Sequence, residues 1–399
     1  MLRMGQEIYD QVMQRGLEIE VDVGNALMGM YTSCGSFVEA HKLFNKLSKD
    51  EVLWQTLIVG YAEKGFFKEA VCDLERMRMG GFVPSVKTYI SILKACSIVG
   101  SLEIGKRIDV EARRNGLFEE DIVLRNALLD MYSKCGQLAK AQEVFQDLPV
   151  RNVISWSTLI SGYAQQGHGF QALNLFERMQ REGISPDGVT YICVLKACGL
   201  VEALEKGKEI HDEILGRGLL AKDTLLVTAL VDMYARCGLL VKAQKVLEEL
   251  HDQNVITWNA LISGYTQHDE CHEALNCLHR MQIVGICPNM ITFICILRAC
   301  GHMGALNKGK QIHEEVVSRC LLDKHVAMGN ALVDMYAKCG AFTKAQEVLE
   351  ELPFRNLISW SALISGYAQQ GYVREALNCF EAMKNEGLSP DDVTFLCVL

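Results

Sequence analysis

Short apolar stripes at helical spacing, separated by glycine-containing breaks, recur along the chain. In residues 153–187 the first stripe has the i, i+3, i+4, i+7 spacing of one helix face and consists of Trp156, Leu159, Ile160 and Tyr163. Gly167-His168-Gly169 interrupts it, and a second stripe then follows, made of Ala172, Leu175, Phe176 and Met179. Because Gly183 and Pro186 end the pattern, it predicts two short amphipathic helices joined by a turn.

The two-helix pattern repeats every 102 residues. Residues 154–167 read ISWSTLISGYAQQG and residues 358–371 read ISWSALISGYAQQG, which agree at 13 of 14 positions. All four tryptophans follow the period: Trp54, Trp156, Trp258 and Trp360. Such self-similarity is the signature of a repeat array. Neither helix can bury its apolar face alone, so we expect adjacent units to stack into an all-α solenoid.

The 102-residue period divides into units of 35, 36 and 31 residues when Trp156, Tyr191 and Val227 are aligned. Alanine recurs at one position of the second helix, which suits close helix crossing: Ala40, Ala70, Ala141, Ala172, Ala243, Ala274, Ala345 and Ala376. Residues 1–20 match the second half of a unit, and residues 392–399 match the start of another. We therefore expect a fragment of a longer array, without its true N-terminus.

The composition limits the kinds of function that the chain is expected to have. The chain has 399 residues, with 40 Lys and Arg against 49 Asp and Glu, a formal net charge of −9. This balance argues at first against a nucleic-acid partner. No stretch approaches 18 consecutive apolar residues, so no membrane span is predicted. None of the 16 cysteines forms a C-x-x-C pair. We expect most of them to be buried as small apolar residues in a reducing compartment, with no metal site and no cofactor.

The alternating unit lengths, together with phrases such as ISWSTLISGYAQQG and VDMYAKCG (333–340), resemble plant pentatricopeptide repeat proteins of the class built from P, L and S motifs. The resemblance covers essentially the whole chain and implies a right-handed superhelical α-solenoid of helix-turn-helix repeats. It divides the chain into S motifs at 21–50, 122–152, 224–254 and 326–356; P motifs at 51–85, 153–187, 255–289 and 357–391; L motifs at 86–121, 188–223 and 290–325; and partial L motifs at 1–20 and 392–399.

The resemblance implies sequence-specific binding of single-stranded RNA, one base per repeat. The fifth and last residues of a motif would read the base edge. The implied readers are Asn25 with Asp50 for uracil; Asn126 with Asn152, Asn259 with Asn289 and Asn330 with Asn356 for pyrimidines; Ser157 with Asp187 and Ser361 with Asp391 for guanine; and Thr228 with Asn254 for adenine. No base is assigned to Gln55 with Ser85. The L motifs carry Ile90, Ile192 and Ile294 at position five, and isoleucine cannot hydrogen-bond a base.

Read from 5′ to 3′, these assignments predict the target U-x-x-Y-G-x-A-Y-x-Y-G. Amide and hydroxyl groups can both donate and accept hydrogen bonds, which an unpaired base edge needs. The residues alone leave an alternative open, because Ser, Thr and Asn also favour helix starts, where they cap the first turn.

Two further positions carry candidate contacts. The resemblance places aliphatic second residues on either side of each base: Val52, Val123, Ile154, Val189, Leu225, Ile256, Ile291 and Ile358. Burial in the core is the alternative for these residues, and Asp22, Lys87 and Ala327 break the pattern. Position thirteen of three S motifs carries Lys134, Arg236 and Lys338. They are candidate phosphate contacts, with a solvated surface charge as the alternative.

No catalytic constellation is apparent, so the chain is predicted not to be an enzyme. Proteins of this class often end in a zinc cytidine deaminase domain with an H-x-E motif followed by P-C-x-x-C. His211-Asp212-Glu213 and His313-Glu314-Glu315 have the first part alone, and we expect both to be surface residues of a second helix. Any deaminase activity would belong to a missing C-terminal domain or to a partner.

The resemblance therefore implies the RNA-recognition tract of a mitochondrial or chloroplast processing factor, with C-to-U editing as the expected process. Single-stranded RNA and other organellar editing factors are the expected partners, and no membrane is. A tetratricopeptide-like scaffold that binds peptides or proteins is the alternative, and the acidic charge favours it. However, the first fourteen positions of the complete units hold nine basic and six acidic residues. The acidic excess thus lies mainly in the second helices and connections.

Overall fold

The computed structural model describes residues 12, 21–47, 50–220, 223–249, 253–322 and 325–398, and these are helical without any β-strand. The predicted partial motif at 1–20 lies outside the described residues except for Val12. The chain forms two compact units, residues 1–197 and 198–399.

In residues 1–197 two helices alternate along the chain. The first helices of the motifs are Val21–Ser33, Glu51–Glu63, Val86–Val99, Ile122–Lys134 and Val153–Gln165. The second helices are Phe37–Lys46, Phe67–Met79, Leu102–Arg114, Leu138–Gln146 and Gly169–Arg181, and the short helix Leu117–Glu120 precedes Ile122. The helix Gly188–Leu200 contains the division between the units.

Residues 198–399 repeat the same alternation. The first helices are Thr224–Arg236, Val255–Gln267, Met290–Met303, Val326–Lys338, Leu357–Gln369 and Asp392–Val398. The second helices are Leu204–Gly216, Leu240–Glu248, Cys271–Ile283, Leu306–Ser318, Phe342–Glu351 and Val373–Asn385. In both units, each first helix begins at the first residue of a motif that the sequence predicts.

The core is formed by the predicted apolar stripes. Trp156, Leu159 and Ile160 are fully buried. The recurring alanines are buried as well, each at most 2% exposed: Ala40, Ala70, Ala141, Ala172, Ala243, Ala274, Ala345 and Ala376. First helices of successive motifs approach closely where Gly264 faces Ala235, since a Cβ on Gly264 would lie 2.5 Å from the Cβ of Ala235. Small residues thus allow neighbouring repeats to share one continuous core.

The cysteines differ from expectation. All sixteen are free thiols, but only six are buried: Cys96, Cys198, Cys271, Cys277, Cys300 and Cys379. Seven are half-buried and three are exposed. The expectation that most of them are buried is therefore wrong, because many occupy helix ends and turns, where solvent reaches one side of the residue.

Candidate nucleic-acid interface

The second residue of each motif is exposed. Every predicted aliphatic there is between 50% and 64% accessible: Val52, Val123, Ile154, Val189, Leu225, Ile256, Ile291 and Ile358. Asp22, Lys87 and Ala327, which break the pattern, are exposed as well. The alternative of core burial is therefore wrong. The helix phase explains the exposure, because the stripe that contains Trp156 turns inward and leaves Ile154 outside.

The last residue of nearly every described motif caps the next first helix; His325, whose side chain makes no cap hydrogen bond, is the exception. Asp50 Oδ1 accepts a hydrogen bond from the backbone N–H of Leu53 at 2.8 Å, and Asn152 Oδ1 accepts one from Ser155 at 3.0 Å. The same cap is made by Asp187, Asn254, Asn289, Asn356 and Asp391. Such bonds satisfy N–H groups that lack partners within the helix.

Capping therefore belongs to the last residue of a motif. The fifth residues lie one turn inside the first helix and are half-buried or buried, so the capping alternative is wrong for them. The cap also fixes the orientation of the last residue's side chain. Its second polar atom, Nδ2 of asparagine or Oδ2 of aspartate, takes no part in the cap.

Asn259 and Asn289, a predicted reader pair, are directly hydrogen-bonded. Asn259 Nδ2 donates to Asn289 Oδ1 at 3.0 Å, and the Thr292 hydroxyl donates to Asn259 Oδ1 at 2.6 Å. The Thr292 hydroxyl oxygen also lies 3.1 Å from Asn289 Oδ1. The third residue of the following motif thus connects the two readers in one polar network.

Two other pairs in residues 198–399 are connected through a hydroxyl. Thr228 and Thr257 hydroxyls lie 2.9 Å apart, and Thr257 donates to Asn254 Oδ1 at 3.1 Å. Ser361, Thr394 and Asp391 are connected in the same way, with Ser361 and Thr394 hydroxyls 2.7 Å apart and Thr394 donating to Asp391 at 2.5 Å. In these three pairs the fifth and last residues that the sequence pairs are therefore connected by hydrogen bonds.

The S-motif asparagines are different. Among the described residues, the buried Oδ1 atoms of Asn25, Asn126 and Asn330 have no hydrogen-bond partner. The third residue of the following motif explains this. Ser155 and Ser359, the third residues after the motifs of Asn126 and Asn330, donate to the backbone carbonyls of their own cap residues at 2.9 and 2.8 Å. Leu53, the third residue of the motif that follows that of Asn25, has no hydroxyl. A buried acceptor without a donor is costly, so these three asparagines are polar groups that the fold does not satisfy.

The predicted residues line grooves within each unit. In residues 198–399 a groove of about 570 Å³ is lined by Asn330, Ser361 and Asp391 together with the aliphatic Ile358. In residues 1–197 a groove of about 300 Å³ lies at Gln55, between Val52 of its own motif and Lys87 of the next. The polar fifth and last residues and the exposed aliphatic second residues therefore line the same grooves.

The position-thirteen cations are paired with aspartates on their own helices. Lys134 lies 2.9 Å from Asp130, and Arg236 lies 2.9 Å from Asp232. Lys338 makes the same i,i+4 pair with Asp334 at 2.9 Å. A phosphate contact would have to compete with these carboxylates, so each cation contributes less than an unpaired one would.

The histidines of the partial H-x-E motifs are not surface residues as expected. His211 is 6% exposed, and its Nδ1 lies 2.7 Å from the Tyr234 hydroxyl. Burial lowers the pKa of His211, with a smaller contribution from Lys242. His313 is half-buried and makes the same contact with Tyr336 at 2.9 Å. These residues join the second helix of an L motif to the first helix of the next S motif, which is a packing role.

The comparisons with known proteins agree with this architecture. A model described as the PPR repeat family matches residues 151–199, 253–302 and 355–399. A model described as the PPR repeat matches residues 25–52, 52–82, 123–153, 226–255 and 330–357. No helix in the described part of the chain is long and apolar enough to cross a membrane.

Three Arabidopsis thaliana relatives illustrate the sequence similarity. The chloroplastic pentatricopeptide repeat-containing protein At1g11290 is 33% identical over 399 residues, covering 100% of this chain and 49% of its own. The mitochondrial At2g03380 is 35% identical, covering 94% of this chain and 54% of its own. The mitochondrial At1g06140 is 33% identical, covering 99% and 71%. The chain thus spans about half the length of the first two relatives, and their names confirm the predicted location in mitochondrion or chloroplast.

A similar fold occurs in a solved structure. The pentatricopeptide repeat protein PPR10, in complex with an 18-nt psaJ RNA element, matches 96% of this chain and 58% of its own chain. The TM-score is 0.76 at 18% sequence identity, which confirms the all-α repeat solenoid. The family models, the relatives and the fold together show that this chain belongs to the pentatricopeptide repeat family.

Proposed function

We propose that this chain binds single-stranded RNA in a sequence-specific manner, with one base per repeat and with most of the specificity in the P and S motifs. The main observation behind the proposal is a recurring arrangement of three residues in a motif. These are a polar fifth residue, a last residue that caps the next helix, and an exposed aliphatic second residue. The structural neighbour PPR10, which was solved in complex with an RNA element, supports the same partner.

The proposed contacts match base chemistry. Exposed aliphatic side chains such as Ile154 and Ile358 would cover the faces of a base, and the fifth and last residues would meet its edge. Guanine presents N–H donors on its pairing edge, so the carboxylate Oδ2 of Asp187 or Asp391 is a suitable acceptor. The side-chain amides of Asn126 and Asn330 carry both a donor and an acceptor, which suits the pairing edge of cytosine or uracil.

The charge distribution supports a binding mode dominated by base contacts. First-helix positions are only mildly basic, and Lys134, Arg236 and Lys338 are each paired with an aspartate. Few phosphates would therefore be neutralised, and the affinity should depend only weakly on salt for so long a site.

We further propose that the chain is of the P, L and S class and is the recognition tract of an organellar RNA-processing factor, with C-to-U editing as the expected process. The alternating motif lengths and the chloroplastic and mitochondrial relatives support this assignment. Deamination would be performed by another domain or by a partner such as an organellar editing factor.

Selection from a randomised RNA pool tests the proposal. We expect enrichment of U-x-x-Y-G-x-A-Y-x-Y-G, with little preference at the L-motif positions. A lack of enrichment, with only weak binding that salt abolishes, would overturn RNA recognition. It would favour the tetratricopeptide-like peptide-binding scaffold instead.

A single substitution tests the register. Ser157→Asn should shift preference at one nucleotide from guanine towards uracil, because a larger amide would then stand beside the carboxylate of Asp187. Ser161→Asn, one turn further along the same helix, is the matched control and should leave every preference unchanged. A shift at any other nucleotide would show that the motif register is wrong.

A further inference from the structure

Three potential metal ligands meet at the turn of the motif 255–289. The carboxylate of Asp269, the thiol of Cys271 and the imidazole of His302 place their ligand atoms within 4.8 Å of one another. His302 Nδ1 lies 3.2 Å from Asp269 Oδ1. In a tetrahedral site with metal–ligand bonds of about 2.0–2.3 Å, ligand atoms lie about 3.3–3.8 Å apart, so small rotations suffice to close the set.

The three residues depart from the repeat at the same place. Where Asp269 stands, the equivalent turns have Gly65, Gly167 and Gly371, with φ near 80°. Asp269 retains a positive φ of 58°, a conformation that costs energy for a non-glycine residue. In this motif a carboxylate therefore replaces the glycine that the turn conformation favours.

The other two ligands are also local exceptions. The positions equivalent to Cys271 hold Phe67, Gly169 and Val373, and those equivalent to His302 hold Ile98 and Leu200. None of these side chains can coordinate a metal. The equivalent positions of the other motifs therefore pack without a thiol or an imidazole, so packing does not explain why both occur beside Asp269.

We propose that Asp269, Cys271 and His302 bind one divalent transition-metal ion of the Zn²⁺ type. Thiolate, imidazole and carboxylate are the ligands that Zn²⁺ takes in proteins, and three of them leave the fourth position for water. Thiolate and carboxylate together balance the charge of the ion. Cys271 is 2% exposed, whereas the Asp269 side chain is 84% exposed, so the ion would enter from the solvent side.

The surrounding backbone favours this arrangement. Cys271 is the first residue of the helix Cys271–Ile283, where the helix dipole favours a thiolate, although burial and the Asp269 carboxylate raise the pKa of this thiol in the metal-free chain. His302 lies in the last turn of Met290–Met303, where the dipole favours a cation. The ion would connect the turn of one motif to the first helix of the next. It would therefore stabilise the stacking of these two repeats, independently of RNA.

Titration of the full chain with Co²⁺, followed by displacement with Zn²⁺, tests the site in the absence of RNA. Thiolate coordination produces a charge-transfer absorption band, which reports on a cysteine ligand directly. We expect the wild-type chain to bind one Co²⁺ more than Cys271→Ser and to gain thermal stability on Zn²⁺ addition. Cys287→Ser, which removes an exposed thiol in the same unit, is the matched control for the other cysteines and should behave as wild type.

Asp269→Gly keeps the test decisive if Cys271→Ser fails to fold. It restores the residue of the equivalent turns, so without metal it should be at least as stable as wild type. We expect Asp269→Gly and His302→Leu to weaken the apparent metal affinity by more than about tenfold, the loss that follows removal of even an outer-shell partner. Equal Co²⁺ binding in wild type and Cys271→Ser, or undiminished Zn²⁺ stabilisation in Asp269→Gly, would overturn the proposal.

Discussion

The motifs 153–187 and 255–289 occupy the same place in successive 102-residue periods. Their cores are alike, since Trp156 and Trp258 are both at most 1% exposed. A tyrosine in each first helix also donates to a glutamine of the preceding motif: Tyr163 to Gln142 at 2.6 Å, and Tyr265 to Gln244 at 2.8 Å.

The two motifs differ where the side chains face the candidate interface and the turn. Ser157 donates only within its own helix, to the carbonyl of Ile154 at 3.1 Å, whereas Asn259 is held on both sides by Asn289 and Thr292. The turn residue changes from Gly167 to Asp269. The comparison teaches that the repeat preserves its packing while it varies the polar groups that would meet a ligand.

The largest effect should come from the shared core. Trp156→Ala and Trp258→Ala should each lower the free energy of unfolding by about 3–5 kcal/mol, because each opens a cavity in a fully packed layer. The two losses should be similar, and urea denaturation followed by circular dichroism measures them.

The phenylalanine variants of the same residues are the control. The Nε1 atoms of Trp156 and Trp258 have no hydrogen-bond partner, so Trp156→Phe and Trp258→Phe lose buried area but no hydrogen bond. Trp360→Phe should cost more than either, since Trp360 Nε1 donates to Glu386 at 2.9 Å. Unequal losses for the two alanine variants would show that the motifs do not share one packing.

The next largest effect on stability should distinguish two fifth residues, Asn259 and Asn330. Asn259→Leu should destabilise the chain by about 1–3 kcal/mol, because Asn289 and Thr292 lose a partner in a buried network. Asn330→Leu should leave stability unchanged or raise it, since its Oδ1 has no partner to lose. Urea midpoints of the two variants provide the comparison, and equal destabilisation would contradict the difference between the two asparagines.

The sequence predicted the scaffold well for a physical reason. Stripes such as Trp156, Leu159 and Ile160 recur at one spacing in every period, so each copy reinforces the same assignment of buried faces. The exposure of Ile154 follows from the same helix phase. The sequence alone did not decide between burial and exposure for Ile154, because isoleucine is common both in cores and at exposed positions.

The polar details could not be predicted in the same way. A helix cap depends on a single hydrogen bond in the first turn of the helix. Ser, Thr and Asn occur at both the fifth and the last position of the motifs, so the sequence does not show which of the two caps the helix. The burial of His211 depends on Tyr234, 23 residues away, and the cluster at Asp269 depends on His302, 33 residues away. Such contacts arise from the stacking of repeats, which periodicity predicts without giving the individual pairs.

A smaller effect should appear in the pH dependence of folding stability. Unit 1–197 has Asp109 accepting from Tyr132 at 2.8 Å, where unit 198–399 has His211 with Tyr234. Burial lowers the pKa of His211 below its ordinary 6.5, so the unfolded chain binds a proton more readily. Stability should therefore be complete above about pH 6.5 and should fall as the pH drops towards the lowered value.

His313, which is also buried enough to have a lowered pKa, should contribute in the same direction. The double variant His211→Gln and His313→Gln should flatten the stability curve between pH 6.5 and 5 relative to the wild-type chain. Denaturation midpoints across this range measure the change. A wild-type curve that is already flat there would show that these histidines are not held neutral by the fold.

The smallest effect on stability should come from the second residues, and it should be accompanied by a loss of RNA binding. Ile154→Ala and Ile256→Ala remove side chains that are 56% and 57% exposed, so stability should change by no more than about 0.5 kcal/mol. Each should nevertheless weaken RNA binding up to about tenfold, because the adjacent base loses an apolar cover. Val241→Ala removes an aliphatic residue of a second helix that is 71% exposed, more than Ile154 or Ile256, and should change neither quantity. If Val241→Ala weakens RNA binding as much as Ile256→Ala does, exposed aliphatic area in general, and not the second position of the motif, is responsible for the contact.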